Sequence, residues 1–577
     1  MSLLFVPTIT GPKENLSRII RAFDFDGSQV AFIASGPLSG ILIMKQNPHP
    51  EEINFHISLK FTLMLENKRI PSSEGTEPQQ EFRFLRFYFG ENTKPDVYHL
   101  IAKDFLESLM TDMPVDYGSF FSKLMKMVKF DFPQINVLEI ETRYAEGHEK
   151  IAIPDASKLT VEREIEEVSR AHVQEMLEKV FPDGLTVETI AEALRTDFDV
   201  VENFLAELEE LKIAKRCGEN EWIRAETIVI PNSRKNEKEL RPTIAIITCL
   251  FKEKLAVDAI IEDALSIHKY KSGGDSNSYT IGKIGKHTVV ATKLAMIGDS
   301  MEATISAGSI TTRILGNFQY IDHVFILGTA GGVPHYASTE SHVRRGDVVI
   351  STSNDQKTYC YAHSFNRSRL DEGNSISGVN VRYWNPKDNQ LARVLGGFSN
   401  DDSQQWKIGF DQLVENLSNL HPDYKFSKPS DDSLAMPAGN ALIVVDHPDS
   451  RTESIFHLAP VGSMCSFRFT RKSPETGEDS NANHFDDSFG HANDGEKELQ
   501  LQVKKVRQDF ISANNLRALD AGFDSVIAAI EGSRIDSWAV VLGICDYSQG
   551  NSRGAEEWKP YAAAKAASLL REAILRL

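Results

Sequence analysis

The 577-residue sequence predicts a multidomain chain with three unlike regions. These are an α+β region over 1–150, a small helical region ending in a hairpin over 158–226, and an α/β region over 242–577. Three observations predict this. Residues 53–65, INFHISLKFTLML, alternate apolar and polar side chains, the period of a half-buried strand. Residues 158–226 read helix, turn, helix, then two short β-like runs around Gly218-Glu219-Asn220. From Pro242 onward, continuous apolar runs (TIAIITCL, HVFIL, DVVIS, WAVVL) alternate with helical spacing, as strands buried on both faces do.

Composition bounds the function. The chain has 63 Lys+Arg and 82 Asp+Glu, a net charge of −19, and 41% apolar residues, ample for several cores. An acidic chain is not drawn to nucleic acid or anionic membranes. Five cysteines (Cys217, Cys249, Cys360, Cys465, Cys545) without a CxxC argue against a disulfide framework or a thiolate zinc site. No metal site is expected. The start, MSLLFVPTITGPK, lacks a basic lead-in, and no apolar run approaches the ~20 residues of a membrane helix. The expected compartment is cytoplasmic or nuclear. The acidity is local: residues 151–226 hold 19 acidic and 9 basic residues, and 473–498 hold 8 and 1.

In order along the chain, strands are expected at Gln29–Ser35, Gly40–Lys45, Ile53–Leu65, Phe82–Phe89 and Ile135–Glu141. Helices are expected at Val97–Met110 and Phe120–Val128. No chemical motif stands out in 1–150. Next come a helix at Val161–Val180, a second begun by Thr186 as N-cap, and a third at Val201–Leu211 with Val201, Phe204, Leu205 and Leu208 at core spacing. Strands at Ile213–Arg216 and Trp222–Arg224 complete a pattern that resembles the winged-helix superfamily. In a DNA reader the second helix of the helix-turn-helix enters the major groove. Here it carries Glu202, Glu207, Glu209 and Glu210 after Asp197 and Asp199, so DNA binding is not expected and protein docking is. Residues 227–241 read as a linker.

Beyond it, a strand at Thr243–Leu250 precedes a helix at Ala256–Leu265, strands at Tyr279–Ile284 and His287–Leu294, and a helix at Asp299–Leu315. Polar stretches at 367–435 and 473–498 read as insertions, the first with helical runs at Leu391–Phe398 and Phe410–Leu417. Deleting Ser473–Glu498 is expected to leave the core intact. Helices at Leu516–Ala529 and Trp558–Leu575 flank the last strand. Ligands of open α/β sheets bind at strand carboxyl ends. Four segments fall there: Thr248–Glu253; Gly328–Gly332, read as a Gly-rich turn; the Ala441–Val445 strand with HLAPVGSMCS at 457–466; and Gly543–Tyr547.

In this order, IAIITCLFKEKLAVDAI, YTIGKIGKHTVVAT, FILGTAGGVP, RRGDVVIS and GICDYSQGNSRGAEEWKPYAAAKAA carry a family resemblance. Residues 242–577 resemble the nucleoside phosphorylase superfamily, especially the nucleosidases of methylthioadenosine and adenosylhomocysteine. They resemble still more the phosphorylase-like domains fused to interaction modules in large eukaryotic proteins. The resemblance implies a three-layer αβα sandwich, a homo-oligomer formed through this domain, and cleavage of a purine N-glycosidic bond without a cofactor, with phosphate as co-substrate in a phosphorylase. It implies Asp546 as the acid at purine N7, with a carboxyl made more basic by its pocket, and Glu253 as the base for water. Gly328, Thr329, Ala330, Gly331 and Gly332 would line the ribose and anion side, and Val461–Phe467, with Ser463 and Cys465, the purine side.

One departure stands out. The family's ribose-binding Glu, in an acid-Met-Glu motif, falls here at Val526, or at Ile527 with another gap placement; neither offers an acceptor. The Arg often found before GICDY is Leu542. Losing the Glu would cost on the order of 10²–10⁴ in rate. His335, His342 and His363 follow GTAGG and read as exposed loop residues; Cys249 and Cys545 read as core thiols. Two readings stay open: a purine nucleoside or nucleotide N-glycosidic cleavage enzyme, and a catalytically degenerate nucleoside sensor or scaffold that recruits proteins through its N-terminal and winged-helix-like regions.

Overall fold

The computed structural model describes the chain except for residues 1, 11–13, 23, 48–50, 66–78, 112, 115, 160–167, 219, 226–240, 269–277, 295–300, 354–356, 364–367, 370–378, 399, 439–440, 466, 473–478, 481–483, 486–493 and 549. The chain divides into two compact units. One comprises 1–159, 334–342 and 431–452; the other comprises 160–333, 343–430 and 453–577.

The first unit begins with β1 (Ser2–Thr10), β2 (Glu14–Ala22), β3 (Val30–Ile33), β4 (Ile41–Met44), β5 (Ile57–Leu65) and β6 (Gln79–Phe89). Helices α1 (Tyr98–Thr111) and α2 (Tyr117–Lys126) and strand β7 (Ile135–Tyr144) follow. The sequence pattern missed β1, which read only as a short apolar run, and β2, for which no element was expected. In FRFLRFYF, Arg83 is fully buried, paired with Glu81 at 2.6 Å and lying over the Phe120 ring at 4.1 Å. Its partner and the ring compensate a charge that would be costly alone.

The second unit opens with α3 (Arg170–Val180), β8 (Leu185–Thr186), α4 (Val187–Leu194), α5 (Phe198–Glu210), β9 (Ala214–Arg216) and β10 (Glu221–Arg224). Thr186 caps α4 by accepting the Thr189 N–H at 3.3 Å. Val201, Leu205 and Leu208 bury the inner stripe of α5 against Ile190, Leu194 and Val173. The expected start of the first helix, at Val161, lies outside the described residues.

The α/β part contains β11 (Ile244–Thr248), α6 (Phe251–Asp258), β12 (Glu262–His268), β13 (Ser278–Ile284), β14 (His287–Lys293), α7 (Met301–Asn317), β15 (His323–Gly332), β16 (Val348–Ser351), β17 (Tyr359–His363), β18 (Ser368–Arg369) and β19 (Asn380–Trp384). After α8 (Gln390–Gly396) and α9 (Asn400–Leu420) come β20 (Leu434–Ala438), β21 (Ala441–Val445), β22 (Phe456–Ala459), β23 (Val461–Met464), β24 (Phe467–Lys472), β25 (Asp479–Ser480) and β26 (His484–Phe485). The chain ends with α10 (Asp494–Asn514), β27 (Ala518–Leu519), α11 (Asp524–Glu531), β28 (Ser537–Asp546) and α12 (Ala555–Leu575).

Two expectations are corrected here. The helix placed at Ala256–Leu265 is α6, beginning at Phe251, and 262–268 is strand β12. The apolar run ALIVV is β21, but it does not join the α/β sheet: with β20 it extends the first unit's sheet, pairing with β5 (Val445 opposite Phe61). An apolar run shows burial, not its pairing partner. The first sheet therefore runs β20-β21-β5-β6-β7-β2-β1-β4-β3.

The second sheet is mixed. Strands β14, β11, β15 and β28 are mutually parallel neighbours; β27 and then β23 flank β15. Successive residues of β11 face opposite layers, with Ile244 and Ile246 toward α6 and α12 and Ala245 and Ile247 toward α7 and α11. Helices thus cover both faces. The 367–435 stretch is not simply polar: β19 pairs with β17, and α9 buries Trp406, Phe410, Leu413 and Leu417 against α12. Of the acidic 473–498 segment, most lies outside the described residues.

Candidate active site

Three parallel strands, β11, β15 and β28, bring their carboxyl ends together. After β11 the chain turns at once into α6, which places Glu253 at its third residue, facing back on the turn. Glu253 is buried. One oxygen, Oε2, accepts the Cys249 and Leu250 N–H groups at 3.0 and 2.8 Å. The other, Oε1, accepts the Thr329 N–H and hydroxyl at 2.7 and 2.9 Å. Burial pushes this carboxyl above the ordinary value; the four donors oppose that shift.

GTAGG is not a turn, as the sequence suggested, but the last five residues of β15. It stays in the sheet because it has a neighbour on each side: Gly331 lies opposite Asp546 of β28 and Leu519 of β27. Gly328 is required by packing, since a Cβ there would fall 2.8 Å from the Phe523 ring.

Asp546 is buried at the end of β28. Its Oδ1 accepts the Ser548 and Gly550 N–H groups at 3.0 and 2.8 Å, and Oδ2 the Ser552 N–H at 3.1 Å. Asp546 thereby folds the chain after β28 back on β15. Gly550, at φ +78°, makes the closest approach: its Cβ would lie 3.1 Å from Ala330 Cα. Cys545 is buried, and burial raises its thiol well above the ordinary value, consistent with a core thiol; Cys249 is buried as well.

The other expected residues differ. Ser463 is buried in β23 and donates its hydroxyl to the Asp520 carbonyl at 3.1 Å. Cys465 follows that strand and gives its N–H to Ala362. Val526 and Ile527 are fully buried in the core shared by α11 and α7, so neither lines a site. The residue at the α11 start is Asp524. His335 and His342 are buried, not exposed, and belong to the other unit. His363 is half-buried in β17.

Sequence reasoning missed two groups. Asp520, between β27 and α11, is buried; its Oδ1 accepts the Gly522 and Phe523 N–H groups and the Tyr359 hydroxyl at 2.7, 3.2 and 2.9 Å. Its Oδ2 is buried without a hydrogen-bond partner among the described residues. Burial raises this carboxyl to about 7, and the nearby Asp524 charge adds to the shift. The only signal was an acid two residues before a glycine, at a strand end. The second group is Lys293, the last residue of β14, whose buried amine carries no sequence motif. Among the described residues, no group of three or more His, Cys, Asp or Glu could hold a metal, and no helix is long and apolar enough to cross a membrane.

Residues 159–226 match the family model of the winged helix-turn-helix domain. No curated protein matches the chain. Among solved structures the chain is similar to a methylthioadenosine/adenosylhomocysteine nucleosidase from Neisseria meningitidis (14% identity, 58% of this chain, 99% of that one, TM-score 0.31). It is similar as well to the corresponding nucleosidase of Campylobacter jejuni (12%, 58% and 100%, 0.30) and to a futalosine hydrolase mutant of Helicobacter pylori (10%, 58% and 100%, 0.29).

Proposed function

We propose that the second unit cleaves the N-glycosidic bond of a purine nucleoside or nucleotide. The observation that carries this reading is the meeting of Glu253, Thr329 and Asp546 at the ends of three parallel strands. Among the described residues Asp546 Oδ2 accepts one N–H and Oδ1 two, so Oδ2 is the oxygen that would carry a proton toward purine N7. That proton offsets the negative charge developing on the departing base. Glu253 has two donors on each oxygen. Only the Thr329 hydroxyl among them can rotate away, so the attacking water would reach the carboxylate by displacing that hydroxyl or through it. Asp524, at the start of α11 beside Asp520, is the carboxylate nearest in sequence to the lost ribose Glu. No cofactor is required; phosphate would be the nucleophile in a phosphorylase and water in a hydrolase.

A second reading, a nucleoside-binding sensor without turnover, is favoured by the same hydrogen bonds. Both carboxylates already hold the local backbone, and Val526 is core. Incubation with adenine and guanine nucleosides and nucleotides, with and without phosphate, separates the two. Base release that falls about 10²–10⁴-fold in Asp546→Asn supports the enzyme. No release above that control overturns it, and nucleoside binding without release then supports the sensor.

A further inference from the structure

The winged-helix segment grips the turn that carries Glu253. Lys293 ends β14 and is the register partner of Thr248, the last residue of β11. The Leu294 N–H donates to the Thr248 carbonyl at 2.7 Å, which ties the two strand ends together. The Lys293 amine is buried and spends its three donors on carbonyls: Lys179 at 3.0 Å, Phe181 at 3.3 Å and Leu294 at 2.9 Å. The first two belong to the end of α3, where free carbonyls and the negative end of the helix dipole favour a cation.

Around this point the docking is tight. Phe181 meets the Phe251 ring edge-on at 5.3 Å, and both lie in the core beneath α12. Arg224 lies over the Phe251 ring as well, at 4.7 Å from its centroid. It pairs with Glu178 at 3.2 Å and with Asp423 at 3.0 Å. Gln174 donates to Asp423 and Tyr424 at 3.2 Å each. Phe251 is two residues from Glu253, on the same first turn of α6.

We propose that Lys293 is a positioning residue through which the winged-helix segment fixes the turn holding Glu253. Lys293 joins three things: the end of β11, the end of α3, and the field at Glu253. Burial brings its amine down to about 8, while Cys249, Glu253, Glu178 and Asp183 act the other way. A winged helix used in this manner is part of the wall of the candidate site. Whatever loosens α3 from Phe251 loosens the Cys249 and Leu250 N–H groups that hold Glu253 Oε2.

The kinetic consequence rests on the proposed reaction; the structural one does not, and hydrogen exchange on the full chain tests it. In Lys293→Met, amides in peptides covering 244–256 and 326–332 exchange about tenfold faster, while those of 537–543 are unchanged. Phe181→Ala, which leaves the amine in place, gives the same pattern. Unchanged exchange at 244–256 in both variants overturns the proposal, as does an equal rise at 537–543, the mark of general destabilisation. Should Lys293→Met not fold, Phe181→Ala and Asp423→Asn decide by the same criterion. If base release is found, Lys293→Met lowers kcat about tenfold at unchanged KM. If wild type releases no base yet the two variants show the exchange pattern, only the reaction is refuted.

Discussion

Two carboxylates of the second unit sit where a strand gives way to a short helix: Glu253 after β11 and Asp520 after β27. Both are buried, and burial raises both. They differ in how their oxygens are occupied. Glu253 takes two donors on each oxygen. Asp520 takes three on Oδ1, and its buried Oδ2 has no partner among the described residues. Burial alone therefore does not mark a reactive group. A saturated carboxylate is first a structural bolt, and an unsaturated one keeps an open valence for a proton or a ligand hydroxyl.

The largest effect should come from removing the saturated group. Glu253→Ala strands three backbone N–H groups and a hydroxyl in the interior, at a cost of about 3–5 kcal/mol of unfolding free energy. Denaturant titration measures it. A loss below about 1 kcal/mol would mean that water replaces the carboxylate easily, and the contrast with Asp520 would collapse.

Asp520→Asn should act through pH. The carboxyl moves from 3.8 to about 7 on folding, so the folded state binds the proton more tightly. That contribution is fully present below pH 3.8 and is lost as pH rises through 7. The stability of wild type relative to Asp520→Asn should fall between about pH 4 and 7, by on the order of 2–4 kcal/mol, and stay level above. Melting curves of both proteins across this range check it. A difference that does not change with pH would show that Asp520 is ionised throughout.

The same contrast explains what could be read in the sequence. The places of Glu253 and Asp546 at strand ends are legible because strand, turn and helix follow within ten residues, whereas their expected roles come from the family resemblance alone. Asp520 and Lys293 are not legible, because their partners (Tyr359, and the end of α3) are more than 100 residues away. Val526 misled for a related reason. A pattern match put it at the ribose, whereas the start of α11 at Asp524 turns it into the core. Strand β21 misled because ALIVV suits either sheet.

The smallest expected effect concerns the winged helix itself, whose two sides are used differently. The side formed by α3 and β10 is spent on Phe251, Asp423 and Lys293. The α5 side is open, with Glu202, Glu207, Glu209 and Glu210 exposed behind exposed Asp197 and Asp199. None of these four glutamates lies in the inner stripe formed by Val201, Leu205 and Leu208. Replacing Glu209 and Glu210 by Lys should therefore leave stability within about 0.5 kcal/mol. Because α5 is the helix that a DNA reader inserts into the major groove, the wild-type protein should not bind duplex DNA at roughly 0.1 M salt. Titration of labelled duplex against both proteins tests this. Wild-type binding that weakens steeply with salt would show that the acidic helix is not the face presented to DNA. Binding gained only by the double Lys variant would show that charge on α5, not the fold, is what excludes it.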